Sequence, residues 1–288
     1  MKLPFLSEPN DKITREIVIE SENKKLLLDL RELIHYSDLF WILAYRDFRI
    51  RYAQTFLGFF WAFIQPVLTL GIFIVVFQKA AKVDTGEIPY PLFAVCGQSV
   101  WTYFSFVLNQ SGNSIISAQA MVKKVFFPRL IIPLSKAIVG FIDFSITFIL
   151  IISLLIYYQY LPSPTIIFFP VFLIFSIFSS LAVGIWFSAI SIRFRDFQHV
   201  IPFMVQFGLY VTPIGYPSEL VTENLPEWLS FVYFLNPVAG AIEGFRWSIL
   251  GGEILWNRIA ISFIVSIVLF ISSLFYFKRV EKIMADII

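Results

Sequence analysis

Three arginines, Arg46, Arg49 and Arg51, fall within six residues of one another beside Asp47, in the stretch YRDFRIRYAQTFLGFFWAFIQP at 45–66. A guanidinium is planar, permanently charged, and carries a fork of donors that matches phosphate oxygens. The cluster could bind a phosphate on a ligand. It could equally hold the headgroups of an anionic bilayer, where each basic residue contributes about 1 kcal/mol. The residues themselves leave both open.

The other ionisable groups point to less chemistry. Asp143 stands inside an apolar run, where an acid is expensive and has either a partner or a function. A proton relay would need further acids or histidines nearby, and none is there, so a hydrogen bond to a neighbouring segment or exposure at the interface is expected. Glu243 and Arg246 are three apart, a spacing that pairs them on one helix face. His35 and His199 sit at the borders of apolar runs and read as ordinary polar residues. Chemistry on a lipid-linked sugar would require paired acids around a metal or a buried histidine. The chain has no D-x-D and no histidine at the centre of an apolar run, so no catalytic or metal site is expected. The single cysteine, Cys96, excludes an internal disulfide and a cysteine metal cluster. No G-x-x-x-x-G-K-[ST] loop is present to cradle phosphates, so nucleotide energy would have to come from another chain.

The elements around these residues are membrane elements. The chain is 58% hydrophobic and 15% charged, with a mean hydropathy of +0.78. Soluble domains are about half apolar and a quarter charged. A spanning helix needs about 20 mostly apolar residues. Runs at 55–77, 131–157, 166–192 and 259–277 satisfy this directly. The run at 91–116 carries Gln98, Asn109, Gln110 and Asn113, which implies burial against other helices. The run at 200–216 is short and broken by Pro202, Pro213 and Gly215. The expectation is an all-α integral membrane protein with six spans. On that count 18 of the 22 Lys and Arg fall on one side, which places both termini in the cytoplasm. The first 37 residues lack the pattern of a signal peptide, so the first span is expected to direct its own insertion.

Three regions follow. Residues 1–36 form a polar cytoplasmic segment, with 16–20 alternating like a short strand. Residues 37–54 alternate apolar side chains (Leu39, Phe40, Leu43, Phe48, Ile50) with charged ones at near-helical spacing, behind Ser37 as a candidate N-cap. Such a helix lies in the membrane interface. Residues 55–288 form the six-span domain. Within it, 217–257 is apolar but interrupted by Pro226, Pro237 and the pair Gly251 and Gly252, leaving two halves too short to cross. Two short re-entrant helices are the natural solution, because irregular backbone at membrane depth survives only where protein or water covers it. Gly240 and Gly244 form a small-xxx-small step that allows close helix approach, the two-fold axis of a dimer included.

Four blocks occur in order: YRDFRIRYAQTFLGFFWAFIQPVLTL (45–70), VKKVFFPRLIIPLSKAIVGFIDF (122–144), RFRDFQHVIPFMVQFGLYVTPIGYP (193–217) and LNPVAGAIEGFRWSILGG (235–252). With them the chain resembles the membrane subunit of type-2 ABC exporters for bacterial surface polysaccharides, the O-antigen, capsule and teichoic-acid export permeases. The resemblance implies a multi-pass subunit of the bacterial inner membrane that pairs with a second copy of itself. Two copies of a separate ATPase chain would bind ATP and Mg, with no cofactor on this chain. The cargo would be a lipid-linked polysaccharide such as O-antigen, with membrane lipids and no nucleic acid as other contacts. A teichoic acid, a lipid or a drug carried by the same fold stays open, and a membrane-embedded glycan-modifying enzyme finds no support in the residues.

The resemblance also implies roles for particular residues. Residues 121–128 would be the coupling helix, with Lys123 and Lys124 reaching toward an acidic partner and Val125, Phe126 and Phe127 as an apolar knob. The 37–54 helix would be a gate, making Arg46, Arg49 and Arg51 an entrance for lipid phosphate. Spans one and five would line the glycan path, with Phe59, Phe60, Trp61, Tyr210 and Tyr216 as stacking platforms. Glu243 and Arg246 would be a structural element of the outer gate.

Overall fold

A computed structural model of the chain describes residues 30–52, 58–224 and 226–284. The alternating segment at 16–20 and most of the 1–36 region lie outside the described residues. Among the described residues the fold is helical throughout, with no strand. Helices α1 (Leu30–His35) and α2 (Ser37–Tyr52) lead into α3 (Gly58–Phe73), which continues as a π-helical turn over Ile74–Ala80. Then follow α4 (Tyr90–Gly112), the short α5 (Ser114–Ser117) and α6 (Gln119–Lys124), and α7 (Ile131–Tyr157). A 3-10 turn at Pro164–Phe168 opens α8 (Phe169–Arg193), followed by α9 (Phe197–Val211), α10 (Glu219–Asn224), α11 (Glu227–Phe234), α12 (Pro237–Leu250) and α13 (Trp256–Glu281).

Among the described residues, five stretches are long and apolar enough to cross a membrane: Phe60–Ala80, Tyr90–Gly112, Ile131–Tyr157, Pro164–Arg193 and Trp256–Glu281. The chain is a multi-pass membrane protein. At 15 residues, α9 is shorter than a full crossing.

Contacts set the directions of these helices. Tyr103 packs on Phe144, and the Ser111 hydroxyl donates to the Pro133 carbonyl, so α4 and α7 run antiparallel. Gly184 packs on Ser111 and Ser188 lies beside Ser114, so α4 and α8 run parallel. Ser179 meets Ser266 and Trp186 stacks on Tyr276, so α8 and α13 are also parallel. The chain between α8 and α13 therefore returns along the bundle, and α9 is the returning segment. Ile201 packs on Gly112, Gly208 on Trp101 and Ile214 on Gly97, a register that takes α9 and the bend after it up the whole of α4.

Two apolar clusters mark the two halves of the bundle. The larger gathers α4, α7, α8 and α12 around Leu92, Val100, Val107, Ile151, Ile242 and Phe245. The smaller joins Leu43 of α2 to Ile115, Val122, Phe127, Ile131, Ile185, Ile192, Phe277 and Val280. That second half also carries Lys123, Lys124, Arg193, Lys278 and Arg279, and is the basic end of the bundle.

Close packing rests on small residues. A Cβ on Gly244 would fall 1.9 Å from the Phe172 ring, and one on Gly240 2.6 Å from Ser262. The Gly240–Gly244 step thus serves contacts of α12 with α13 and α8 inside one chain, not the axis of a dimer.

The segment between α9 and α13 forms a helical hairpin packed on the start of α13. Ser262, six residues into α13, donates to the carbonyls of Phe234 and Asn236, where α11 ends and α12 begins. The other end of α12 meets the segment between α7 and α8, where Tyr160 donates to the Leu250 carbonyl and the Ser163 amide to that of Ile249. At 1.5 Å per residue the hairpin reaches about 9 Å down α13.

Candidate functional site

A polar cavity of about 600 Å³ opens between α3, α4 and α7. Its wall on α4 and α5 is a stripe: Gln98, Thr102, Ser105, Asn109, Asn113 and Ser117. Spacings of three and four residues put all of them on one helix face. From Gln98 to Ser117 the stripe extends about 28 Å at 1.5 Å per residue, most of a bilayer's thickness. The opposite wall is Ala62, Gln65, Pro66 and Thr69 of α3. Gln98 Nε2 donates to the Pro66 carbonyl, while its buried Oε1 has no protein partner. A buried amide oxygen without a partner is costly unless water or a ligand reaches it.

Charge is concentrated at one wall of this cavity, where α2 lies against α7. Arg51 pairs with Asp143 at 2.6 Å, and the Tyr52 hydroxyl donates to the same carboxylate. Lys136 pairs with Asp47 at 2.5 Å, and Arg46 holds the other oxygen of Asp47 at 2.8 Å. The Arg51 guanidinium also stacks over the Phe106 ring at 4.4 Å. Arg51, Lys136 and Asp143 all line the cavity, and Arg51, Lys136, Asp47 and Gln110 line an adjoining pocket of about 210 Å³. Burial and the Asp143 hydrogen bond push the Tyr52 phenol well above its ordinary pKa, so it stays a neutral donor.

The sequence-predicted residues divide here. Among the three arginines Arg51 faces the cavity, Arg46 is tied to Asp47, and Arg49 is exposed with no ion pair among the described residues. The pattern of 37–54 predicts an amphipathic helix without saying which of its charges meet a neighbouring helix. Asp47 and Arg51 turn inward, and Trp41, Ile42, Tyr45 and Ile50 face out. Asp143 has the neighbouring partners expected of it, and they come from α2. Lys136 was not singled out in the sequence because it reads as part of a basic loop. Its position six residues after the Pro128–Leu130 turn hides that it is already inside α7 and 8% exposed.

The aromatic candidates whose side chains are described do not line the cavity. Phe60, Trp61 and Tyr210 are largely exposed on the outer faces of α3 and α9. Tyr216 is partly buried, donating to the Tyr210 carbonyl and accepting from Tyr233. The side chain of Phe59 lies outside the described residues. The polar stripe on α4 was the stronger signal: Gln98, Thr102, Ser105 and Asn109 repeat with helical period inside an apolar run.

The 121–128 segment is a short helix, α6, followed by extended chain at Val125. Lys123, Lys124, Val125 and Phe126 are exposed, but Phe127 is 4% exposed in the basic-end cluster with Leu43 and Ile131. The apolar knob is therefore Val125 and Phe126, with Phe127 as its root. Arg129 clamps the segment to the end of α13: its backbone N–H donates to the Glu281 carboxylate and its guanidinium to the Glu281 carbonyl at 2.7 Å.

Arg246 pairs with Glu243 at 3.1 Å as the spacing predicts. It does more than that, donating to the carbonyls of Pro213, Ile214 and Phe93 where α9 breaks off.

Comparison with known proteins places this architecture. Residues 38–250 match the family model described as ABC-2 type transporter. The chain is 28% identical over 253 residues to an O-antigen export system permease protein RfbA of Klebsiella pneumoniae, covering 87% of this chain and 95% of that protein. It is 26% identical over 217 residues to the protein of the same name in Myxococcus xanthus, covering 75% and 82%. It is 22% identical over 214 residues to the polysialic acid transport protein KpsM of Escherichia coli, covering 73% and 80%.

Proposed function

The chain belongs to the ABC-2 type transporter family, and we propose that it is the membrane subunit of an exporter that moves a lipid-linked polysaccharide out across the bacterial inner membrane. The observation that carries this reading is the cavity. A continuous polar stripe over about 28 Å of helix, at membrane depth, suits a hydrated, hydroxyl-rich polymer and not a hydrocarbon. Amides and hydroxyls offer many equivalent hydrogen bonds, so a sugar chain can slide from one to the next without leaving a deep well.

The finer topology is part of the proposal. The parallel run of α8 and α13, with α9 returning along α4, supports six passages with both termini on the basic side. The positive-inside rule makes that side cytoplasmic. The α11–α12 hairpin then enters from the outer face, held by Glu243 and Arg246 at the broken end of α9. Region 1–36 is cytoplasmic lead-in, 37–54 the gate and 55–288 the spanning domain.

Energy comes from a separate ATPase. The exposed Lys123, Lys124, Val125 and Phe126 form its docking point, two copies meeting a homodimer of this chain. Phe127 and Leu43 share one apolar cluster, so movement at the docking point reaches α2 directly. Phe60, Trp61 and Tyr210, exposed on α3 and α9, face the second copy or the path between the copies.

The test is deletion of the gene in its own strain, with detection of polysaccharide at the cell surface and of lipid-linked polymer inside. Loss of the surface polymer with internal accumulation, restored by the gene, is expected. Unchanged surface polymer would overturn the assignment.

A further inference from the structure

We propose that Arg51 and Lys136 form a phosphate site at the wall of the cavity, occupied at rest by the carboxylates of Asp143 and Asp47 and opened when a cargo phosphate displaces them. This rests on the exporter reading and names the part of the cargo that the cavity recognises first: the phosphate or pyrophosphate joining glycan to lipid.

The donors are those a phosphate requires. Arg51 presents its fork toward Asp143 while its face is fixed on the Phe106 ring. A stacked guanidinium keeps its N–H edge free for in-plane acceptors, and carboxylate and phosphate compete for that same edge. Lys136 adds a point charge from about two turns before Asp143 on α7, nine-tenths buried, and the Tyr52 hydroxyl adds a neutral donor. Both cations also line the smaller pocket with Gln110, so the pocket and the cavity share these two charges. The cluster of Arg46, Arg51 and Lys136 against Asp47 and Asp143 carries one net positive charge. A dianionic ligand would reverse that sign only if both acids stayed in place, so binding favours their departure.

Displacement has a mechanical consequence. The two ion pairs and the Tyr52–Asp143 hydrogen bond tie α2 to α7. A ligand that takes the cations leaves Asp143 and Asp47 without them, and the attachment of α2 then passes through the ligand. The site thereby reports cargo to the helix that shares the Leu43 cluster with the coupling segment.

The experiment uses full-length protein in phosphatidylcholine nanodiscs, titrated with farnesyl pyrophosphate, with thermal unfolding recorded for every variant. Wild type is expected to bind. Asp143→Asn and Asp47→Asn remove the competing anions, and each should tighten binding about tenfold. Lys136→Gln and Arg51→Gln should weaken it by at least as much. If the ion pairs are only structural, removing an acid leaves an unpaired cation and lowers stability without tightening binding. Unchanged or weaker binding in a folded Asp47→Asn or Asp143→Asn protein overturns the exchange. Asp47 is the safer variant, because Lys136 then keeps the cavity water and Arg46 is exposed. Repeating the titration with phosphatidylglycerol in the discs separates the sources: abolished binding would assign the site to bulk lipid headgroups and overturn the cargo role. Surface polysaccharide in cells is scored separately, so failure of the exchange leaves the export assignment to its own experiment.

Discussion

The Arg246 guanidinium lies 2.7 Å from the carbonyl oxygen of Pro213. The helix α9 ends at Val211, and the carbonyls of Pro213 and Ile214 in the bend beyond it point into protein with no helical N–H to meet them. Arg246 satisfies both, reaches the Phe93 carbonyl at 3.3 Å, and stacks on the Phe93 ring at 3.6 Å. One side chain thus replaces the backbone bonds that a continuous helix would supply, which is how irregular backbone survives in a bilayer.

Arg246→Met should therefore be severe. It leaves three carbonyls short of a donor and Glu243 without its cation, and breaking a buried pair from one side costs about 3–5 kcal/mol. Arg246→Lys should also fail to recover wild-type stability, since one ammonium cannot span the three carbonyls. Glu243→Gln should be milder, because an amide oxygen still accepts from Arg246 and Ser218. Thermal unfolding in detergent, followed by tryptophan fluorescence, checks the order. A wild-type midpoint for Arg246→Lys would remove the carbonyl argument.

Two glycines separate packing from propensity. A Cβ on Gly97 would stand 2.7 Å from the Arg246 guanidinium and 2.9 Å from the Ile214 carbonyl oxygen, whereas one on Gly71 meets nothing within 4 Å. Gly97→Ala should lower the unfolding midpoint by displacing Arg246. Gly71→Ala should leave it unchanged or raise it, as alanine is the better helix former by about 1 kcal/mol. The same unfolding assay reads both, and equal effects would mean that α4 can shift away from Arg246.

Adjacent phenylalanines should behave in opposite ways. Phe126 is 67% exposed and Phe127 is 4% exposed. Phe126→Ala should keep stability and lose co-purification with the ATPase. Phe127→Ala removes a ring from the basic-end cluster and should cost about 3–5 kcal/mol of stability, the range for core aromatic truncation. Retained ATPase binding in Phe126→Ala would show that docking lies elsewhere.

Much of this was legible in the residues. Apolar runs locate the long helices because a bilayer demands a fixed length of unbroken hydrophobicity, and Pro226, Pro237 and the Gly251–Gly252 pair mark the hairpin because they interrupt it. The i, i+3 spacing pairs Glu243 with Arg246, but cannot reveal that the arginine's other donors serve Pro213 and Phe93, which are 33 and 153 positions away. The inward turn of α2 was hidden for a similar reason. Asp47 and Arg51 look like solvent-facing charges until Lys136 and Asp143, 89 and 92 positions on, supply their counter-ions across the helix interface. Residue type and segment alone point to the aromatic candidates. The cavity is defined instead by the small polar residues, which one helical period would have identified.

Cavity hydration and orientation can be read together from thiol accessibility. Cys96 is the chain's single cysteine and is 0% exposed, so the wild-type protein should give no reaction with a membrane-impermeant maleimide. Thiol alkylation proceeds through the thiolate, which forms only where water reaches. Ser117→Cys, at the exposed basic end of the stripe, should label quickly in inside-out vesicles, Asn113→Cys more slowly, and Gln98→Cys slowest of the three, following their order along α4 and α5. Val268→Cys is 59% exposed in the protomer but sits on an apolar face of α13, and should stay unlabelled because lipid covers it. Right-side-out vesicles should leave Ser117→Cys unreacted. Fast labelling of Ser117→Cys from the outer side would invert the proposed topology, while equal silence at Asn113 and Val268 would mean that the stripe is dry and cannot pass a glycan.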